Sequence, residues 1–493
     1  MQKYVLGIDQ STQGTKMILF DSEGKIAFQA AKPHKQFIND RGWVEHDPAE
    51  IWSNIKILAR QITQENKISA RDIVAIGISN QRETSLAWNK TTGENIYPAI
   101  VWQCARGAAI CDELEKRGLK SFVKENTGLP LSPYFSAAKL AWIMQNVPAA
   151  AQLADEKNLC MGTVDSWLLH KMTGGKIFKT DYSNASRTQL FNIKSLNWDE
   201  KICSAFGIPT DALPEVTFSD SFFGKTNMDG IFDCEIPIWA MLGDSHAALF
   251  GQGSHAAGEA KATYGTGSSI MLNTGEKLIE SAQGLATTIA WGMGEKVLYA
   301  LEGNINYTGA SITWLVEDLK LIDSAAETEK LARQSNPADK SYFVPAFTGL
   351  GAPYYDNDAT GIFCGITRVT GKNEMVRAVV DSIAYQIYDV ISLMEKVSGG
   401  ELVNLKVDGG PTRNAYLMQF QSDILNKPVA VPPVAELSAM GAAYCAGIAA
   451  GFYDREKIFA GLSWGQYAPN MDADEREELL KGWSIAVKKS GKW

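Results

Sequence analysis

The chain has no cysteine spacing that would hold zinc. Its seven cysteines, Cys104, Cys111, Cys160, Cys203, Cys234, Cys364 and Cys445, are odd in number and form no C-x-x-C pair. That suits reduced thiols rather than a disulfide framework. The five histidines show no metal-ligand spacing either. No apolar run approaches the roughly 20 residues of a membrane span. The N-terminus meets a charge too early for a secretory signal, so a cytoplasmic protein without a membrane partner is expected. A formal net charge of -9 argues against a nucleic-acid surface. Low-complexity tracts and a Walker A loop are also missing.

What is present is an ordinary soluble composition, 45% hydrophobic and 21% charged, spread over 493 residues. That is too long for one core. Two large domains are expected, 1–250 and 251–493, with the boundary near Gly251. Strands and helices alternate, which reads as an α/β fold. Tyr4 to Asp9, Met17 to Asp21 and Lys25 to Ala30 read as strands joined by polar turns. Asp47 and Pro48 open a helix that runs to Arg60, and the β-branched run Ile73 to Ser79 reads as a buried strand. In the second half, Gly258 to Leu272, Lys296 to Leu301 and Val403 to Asp408 read as strands. Val376, Val379, Val380, Ile383, Ile387, Val390, Ile391 and Met394 make one wide apolar stripe, so residues 373–397 form a helix stopped by Gly399-Gly400. A helix from about Arg413 to Asn426 follows, then one over Ser438 to Ala450 whose Ala and Gly residues predict close packing.

Several short stretches carry chemistry. Asp244 ends the apolar run that begins at Ile236, which puts a carboxylate at the C-terminal end of a buried strand. Most such aspartates only cap the next helix. Gly7 to Lys16 is a strand, a hydroxyl-rich turn and another strand, and its amides with Ser11, Thr12 and Thr15 suit phosphate oxygens. Asp9 at that strand end suits Mg²⁺, which takes one or two carboxylates plus phosphate oxygens. A plain hairpin with a polar turn is the bland alternative. Val407-Asp-Gly-Gly-Pro411 and Tyr264-Gly-Thr-Gly-Ser-Ser269 are further glycine turns after strands, where backbone can approach a ligand. Arg82-Glu83 pairs a cation with an anion after a strand, placed either to grip vicinal hydroxyls or to make a surface ion pair. Trp102 and Tyr134 offer apolar faces for carbohydrate C–H groups, or ordinary core. His246 is read as a packed, hydrogen-bonded histidine.

With these motifs in order, the chain resembles the FGGY carbohydrate kinases of the actin/hexokinase superfamily, and within them the glycerol kinase branch. The similarity runs from about Tyr4 to Ala450. It includes Gly42-Trp-Val-Glu-His-Asp-Pro48, Thr180-Asp-Tyr-Ser-Asn-Ala-Ser-Arg-Thr188 and both family signatures, the first beginning Tyr134-Phe-Ser-Ala-Ala-Lys139 and the second spanning Gly361 to Asp381. The resemblance implies two ribonuclease-H-like domains with a cleft between them that holds ATP and Mg²⁺. It implies Asp244 as catalytic base and Asp9 as the metal-side carboxylate. Thr12, Lys16, Thr266, Gly309, Gly410 and Asn414 would contact nucleotide. Arg82, Glu83, Trp102, Tyr134, Asp244 and Ser245 would contact substrate. It also implies a homo-oligomer, dimer or tetramer.

The departures bear on the substrate. Lys16 stands where the glycerol kinase branch has Arg, which keeps charge without the bidentate fork. Ser245-His246 follows the base where that branch has two glutamines. Ser269 replaces an aromatic residue, and Asn304 and Asn306 replace small or apolar ones. Glu235 stands where a regulatory arginine is found in some relatives, so that regulation is not expected. The expectation is ATP-dependent phosphorylation of a terminal hydroxyl on a small polyol or ketose of three to five carbons. The alternatives are a glycerol kinase proper and a non-catalytic, actin-like ATP-binding module.

Overall fold

The computed structural model describes residues 2–66, 68–280, 284–354 and 356–491. Three larger sheets carry the fold. The first has six strands, in the order Gly224–Thr226, Ile236–Gly243, Ile73–Asn80, Tyr4–Gln10, Gly14–Phe20 and Ile26–Pro33. The second has seven: Ala286–Met293, Lys296–Ile305, Ser268–Gly275, Glu259–Tyr264, Asn404–Gly409, Val429–Val431 and Gly465–Tyr467. A five-stranded sheet from residues 37–163 lies in the first half.

The two main sheets repeat one topology. Tyr4–Gln10 pairs antiparallel with Gly14–Phe20, which pairs antiparallel with Ile26–Pro33. On its other side Tyr4–Gln10 runs parallel to Ile73–Asn80, which runs parallel to Ile236–Gly243. Glu259–Tyr264, Ser268–Gly275, Lys296–Ile305, Asn404–Gly409 and Val429–Val431 reproduce this order and these directions. This is the doubled actin/hexokinase-type arrangement expected from the sequence. The turns Gln10–Gly14 and Tyr264–Ser268 therefore occupy equivalent places, and ligands of open α/β sheets bind beyond the carboxyl ends of such strands.

Most expected elements form for the expected reasons. The run 258–272, read as one strand, is instead a hairpin of Glu259–Tyr264 and Ser268–Gly275, because the chain turns back at Gly265 and Gly267. Asp47 Oδ1 accepts from the Ala49 amide at 2.8 Å and Pro48 sets the first helical position of Pro48–Arg60. The helix then continues as a π turn over Gln61–Glu65. The stripe from Val376 to Met394 is buried on helix Lys372–Ser398, which ends at Gly399 with φ 68°. The helix read from Arg413 starts later, at Ala415, because Gly410–Arg413 tightens into a 3-10 turn. No helix among the described residues is long and apolar enough to cross a membrane.

Strands on either side of Gly251 belong to different sheets, but one helix crosses back. Leu437–Ala449 packs on the strands Tyr4–Gln10, Ile73–Asn80 and Ile236–Gly243 and on the helix Asp244–Gly251. The contact is close because glycines make it. A Cβ on Gly441 would lie 1.8 Å from the Ala247 carbonyl oxygen, and one on Gly77 would lie 2.0 Å from that of Ala442. Gly441→Ala should therefore push apart the helix that begins at Asp244. Overpacking of this kind costs about 1–3 kcal/mol, so a lowered melting temperature and reduced turnover are expected, read by thermal denaturation and a kinase assay.

Candidate active site

Asp244 sits at the junction of strand Ile236–Gly243 and helix Asp244–Gly251. It lines a cavity of about 230 Å³ with Asp9, Lys16, Ser245, Lys261, Thr263, Asp408 and Glu436. The cavity draws on both main sheets. Asp9 comes from the first strand of the first sheet, Lys261 and Thr263 from the equivalent strand of the second. Asp9 is buried and accepts a 3.0 Å hydrogen bond from Ser79 Oγ. Burial, followed by the charge of Asp244, pushes its pKa up to about 7. Asp408, at the end of Asn404–Gly409, accepts from Gln252 Nε2 at 2.6 Å and Thr263 Oγ1 at 3.1 Å, and burial raises its pKa too.

Lys16 and Thr12, expected at phosphate, are otherwise engaged. Lys16 Nζ lies 2.6 Å from Glu436 Oε2, and Glu436 begins the returning helix as its cap residue. Thr12 Oγ1 accepts from Trp102 Nε1 at 3.0 Å, so the turn Gln10–Gly14 touches Trp102 directly. Trp102 in turn meets the ring of Tyr134 edge-on, with centroids 5.5 Å apart.

Arg82 and Glu83 are neither a surface pair nor partners of each other. Arg82 is buried and makes two 3.0 Å hydrogen bonds to Glu302 on strand Lys296–Ile305. Its Nε lies 3.2 Å from Asp244 Oδ1 without hydrogen-bonding geometry. Glu83 is buried at φ 59° and accepts from Arg187 Nε at 2.6 Å. Arg187 NH1 lies 2.8 Å from Glu302 Oε2. The result is a continuous chain of charges, Glu83–Arg187–Glu302–Arg82–Asp244, buried except at Asp244. Although burial alone would raise it, the Glu302 carboxyl is held well below the usual carboxylate range by Arg187 and Arg82. Sequence reasoning missed Arg187 and Glu302. The first lay inside the stretch Thr180 to Thr188 that carries the family resemblance. The second is an acidic residue following the apolar run Val297 to Leu301, and that was the available signal.

His246 is buried, as expected, but poorly satisfied. Its Nε2 is 3.4 Å from Thr288 Oγ1 and its Nδ1 has no partner. Burial, then the nearby Arg82, holds its pKa well below the ordinary value, so it stays neutral. Strand register places Ser269 between Thr263 and Asn304, on the face that carries Lys261 and Glu302. The Ser269 hydroxyl is buried and without a partner, while Asn304 and Asn306 are exposed.

A second cavity, of about 620 Å³, brings together Gly309, Gly410 and Asn414 with Ile312, Val316 and Thr328. A Cβ on Gly410 would meet nothing within 4 Å, so this backbone is open to a ligand. Its neighbour Gly409 has φ 103° and would place a Cβ 2.0 Å from the Tyr264 carbonyl oxygen, so glycine is required there for packing. Asn414 Oδ1 caps the helix Ala415–Leu425 through the Leu417 amide, and its Nδ2 donates to Thr328 at 3.1 Å. The Thr266 carbonyl accepts from the Thr308 and Ala310 amides and so closes the start of helix Gly309–Glu317. Asp408 on the first cavity and Gly410 on the second are two residues apart, which joins the two sites.

Models of the FGGY family of carbohydrate kinases match residues 4–251 as its N-terminal domain and 260–450 as its C-terminal domain. The chain belongs to this family. It is a phosphotransferase with an alcohol acceptor, which sets aside the non-catalytic alternative. A glycerol kinase of Alkaliphilus oremlandii is 49% identical over 100% of this chain and 98% of its own length. Glycerol kinase 2 of Thermotoga maritima is 48% identical over 100% and 99%. The crystal structure of Plasmodium falciparum glycerol kinase with ADP superposes with a TM-score of 0.95 at 35% identity, covering 100% of this chain and 99% of that one. A xylulose kinase from Lactobacillus acidophilus, at 22% identity, TM-score 0.87 and coverage of 99% and 97%, shares the fold.

The first cavity fits a hard divalent cation carried in with phosphate. Among the described residues no three His, Cys, Asp or Glu side chains form a metal cage. Asp9 is instead a buried carboxylate, strained by Asp244 and with Asp408 on the same cavity, of the kind Mg²⁺ takes beside phosphate oxygens. Because folding raises Asp9 from 3.8 to about 7, the native state holds more protons than the unfolded state between those values. Stability is therefore lost as pH rises through that window. Asp9→Asn should raise the melting temperature at pH 8, by at most roughly 4 kcal/mol of stability, and much less at pH 4.5. Glu302→Gln leaves two buried guanidiniums short of a counter-charge. A loss of about 3–5 kcal/mol is expected by denaturant unfolding.

Proposed function

We propose that this kinase transfers the γ-phosphoryl group of ATP to a terminal hydroxyl of a small polyol or ketose of three to five carbons, with Asp244 as general base. The observation that carries this reading is the set of contacts on one carboxylate oxygen. Asp244 Oδ1 receives the Ser245 amide at 2.6 Å and lies 3.2 Å from Arg82 Nε. Both interactions fall on Oδ1, which leaves Oδ2 to accept the acceptor's hydroxyl proton at the cavity. Arg82 cannot drift, because Glu302 holds its two terminal nitrogens.

Phosphoryl transfer depends on position and charge stabilisation. Mg²⁺ arriving with ATP would be held by Asp9 and would neutralise phosphate charge there. Lys16 exchanges Glu436 for a phosphate oxygen. Gly410, Gly309 and Asn414 line the nucleotide side, and Thr266, whose carbonyl closes the start of helix Gly309–Glu317, borders it. Trp102 and Tyr134 form the apolar wall of the acceptor site, with Ser245 beside the base. Closure of the halves 1–250 and 251–493 on each other excludes water and limits idle ATP hydrolysis. A cytoplasmic location and a dimer or tetramer accompany this reading.

Acceptor length depends on Ser269. A buried hydroxyl without a partner, beside the exposed Asn304, suits an additional substrate hydroxyl and favours four- or five-carbon compounds. The names of the relatives favour glycerol itself. ADP release with Mg-ATP over glycerol, erythritol, threitol, erythrulose, pentitols and pentuloses decides between them by kcat/KM. If Ser269 sets length, Ser269→Phe should shift preference toward glycerol. Asp244→Asn should lower kcat by about 10²–10⁴ in a folded protein. Near-normal turnover would remove Asp244 from the base role.

A further inference from the structure

We propose that Lys139 is a positioning residue for the acceptor site: its buried ammonium ties the 133–135 turn so that Tyr134 stands against Trp102. This rests on the reading of Tyr134 and Trp102 as the acceptor wall. Lys139 lies on helix Ser136–Asn146 and is fully buried. Its side chain runs back over the first turn of its own helix. Nζ donates to the carbonyls of Pro133 at 2.8 Å and Phe135 at 3.1 Å, and also to that of Tyr134. All three partners are backbone carbonyls and none is a carboxylate.

The helix begins without a side-chain cap at Phe135, so its entry turn is fixed by other groups. Ser136 Oγ donates to the Glu83 carbonyl at 3.2 Å, and the Arg187 guanidinium lies over the Phe135 ring at 5.2 Å. These hold the residues after Tyr134. Lys139 acts on Tyr134 itself and on the residue on each side of it. From Tyr134 the contacts continue to the Trp102 ring and through Trp102 Nε1 to Thr12 in the first phosphate turn. One ammonium thus sets the reach of the apolar wall toward the phosphates.

Packing alone does not call for a lysine here. Burial pulls its pKa down to about 7 against the attraction of Glu83, so the charge is held at a cost. Methionine would fill similar volume without that cost but would leave the three carbonyls, that of Phe135 buried and the other two half-buried, without this donor.

Steady-state kinetics of Lys139→Met, Lys139→Gln and Tyr134→Ala test this, with glycerol and erythritol as acceptor probes and ATP varied separately. The expected result for Lys139→Met is an acceptor KM raised tenfold or more with the KM for ATP within twofold. Lys139→Gln, which keeps a donor, should fall between it and the unaltered enzyme, and carries the comparison if Lys139→Met does not fold. If the acceptor and ATP KM values rise together, the role is structural and the proposal is overturned. An unchanged acceptor KM in both Lys139 variants, with a raised value in Tyr134→Ala, overturns the positioning role alone. An unchanged value in all three overturns the acceptor wall on which it rests.

Discussion

Glu302 is the constraint on which the site depends. It is a buried carboxylate on the second sheet, and two arginines from the first half of the chain converge on it. The alternation Glu83–Arg187–Glu302–Arg82–Asp244 counts three carboxylates and two guanidiniums, so one negative charge is left over. That excess sits at the one member open to the cavity, Asp244. Removing so many charges from water costs more than their attraction returns unless the geometry is fully satisfied. The chain therefore contributes register more than stability. It fixes how the strand Lys296–Ile305 faces the strand ends at Asn80 and Gly243, and through Arg82 it fixes Asp244.

A second constraint works by contact instead of charge. Gly77 and Gly441 let the returning helix Leu437–Ala449 lie directly on the first sheet and on the helix that starts at Asp244. That contact brings Glu436 to the mouth of the site, where it meets Lys16. The polar face of the second sheet, with Lys261, Thr263, Ser269 and Glu302, closes the opposite side. Its other face carries Ala262, Tyr264, Ile270 and Leu301 into the core beneath helix Lys372–Ser398. Strand alternation thus makes one sheet serve both as a core wall and as a cleft wall.

Much of this was legible in advance. Apolar runs gave the buried strands, the stripe from Val376 to Met394 gave the long helix, and Asp47-Pro48 gave a helix start. The motif order gave the family, and three of the expected nucleotide residues, Gly309, Gly410 and Asn414, do line one cavity. The pairing of charges was not legible. Arg82 and Glu83 are adjacent in sequence, yet Arg82 finds its partner 220 residues away and Glu83 finds its own 104 residues away. A left-handed backbone at Glu83 helps explain the split, since it turns the two side chains apart.

The sequence by itself determined several of the main buried strands and long helices, where the glycine turns follow strands, and which family the chain belongs to. These depend on local periodicity and on short contiguous motifs. Tertiary structure alone decided that Glu302 and Arg187 join Arg82 and Glu83 in one charge chain, that Glu436 faces Lys16, and that Lys139 grips the turn of Tyr134. Electrostatic and hydrogen-bond partners are chosen by distance in space at low dielectric. Neither composition nor spacing along the chain encodes that distance until the two sheets have packed.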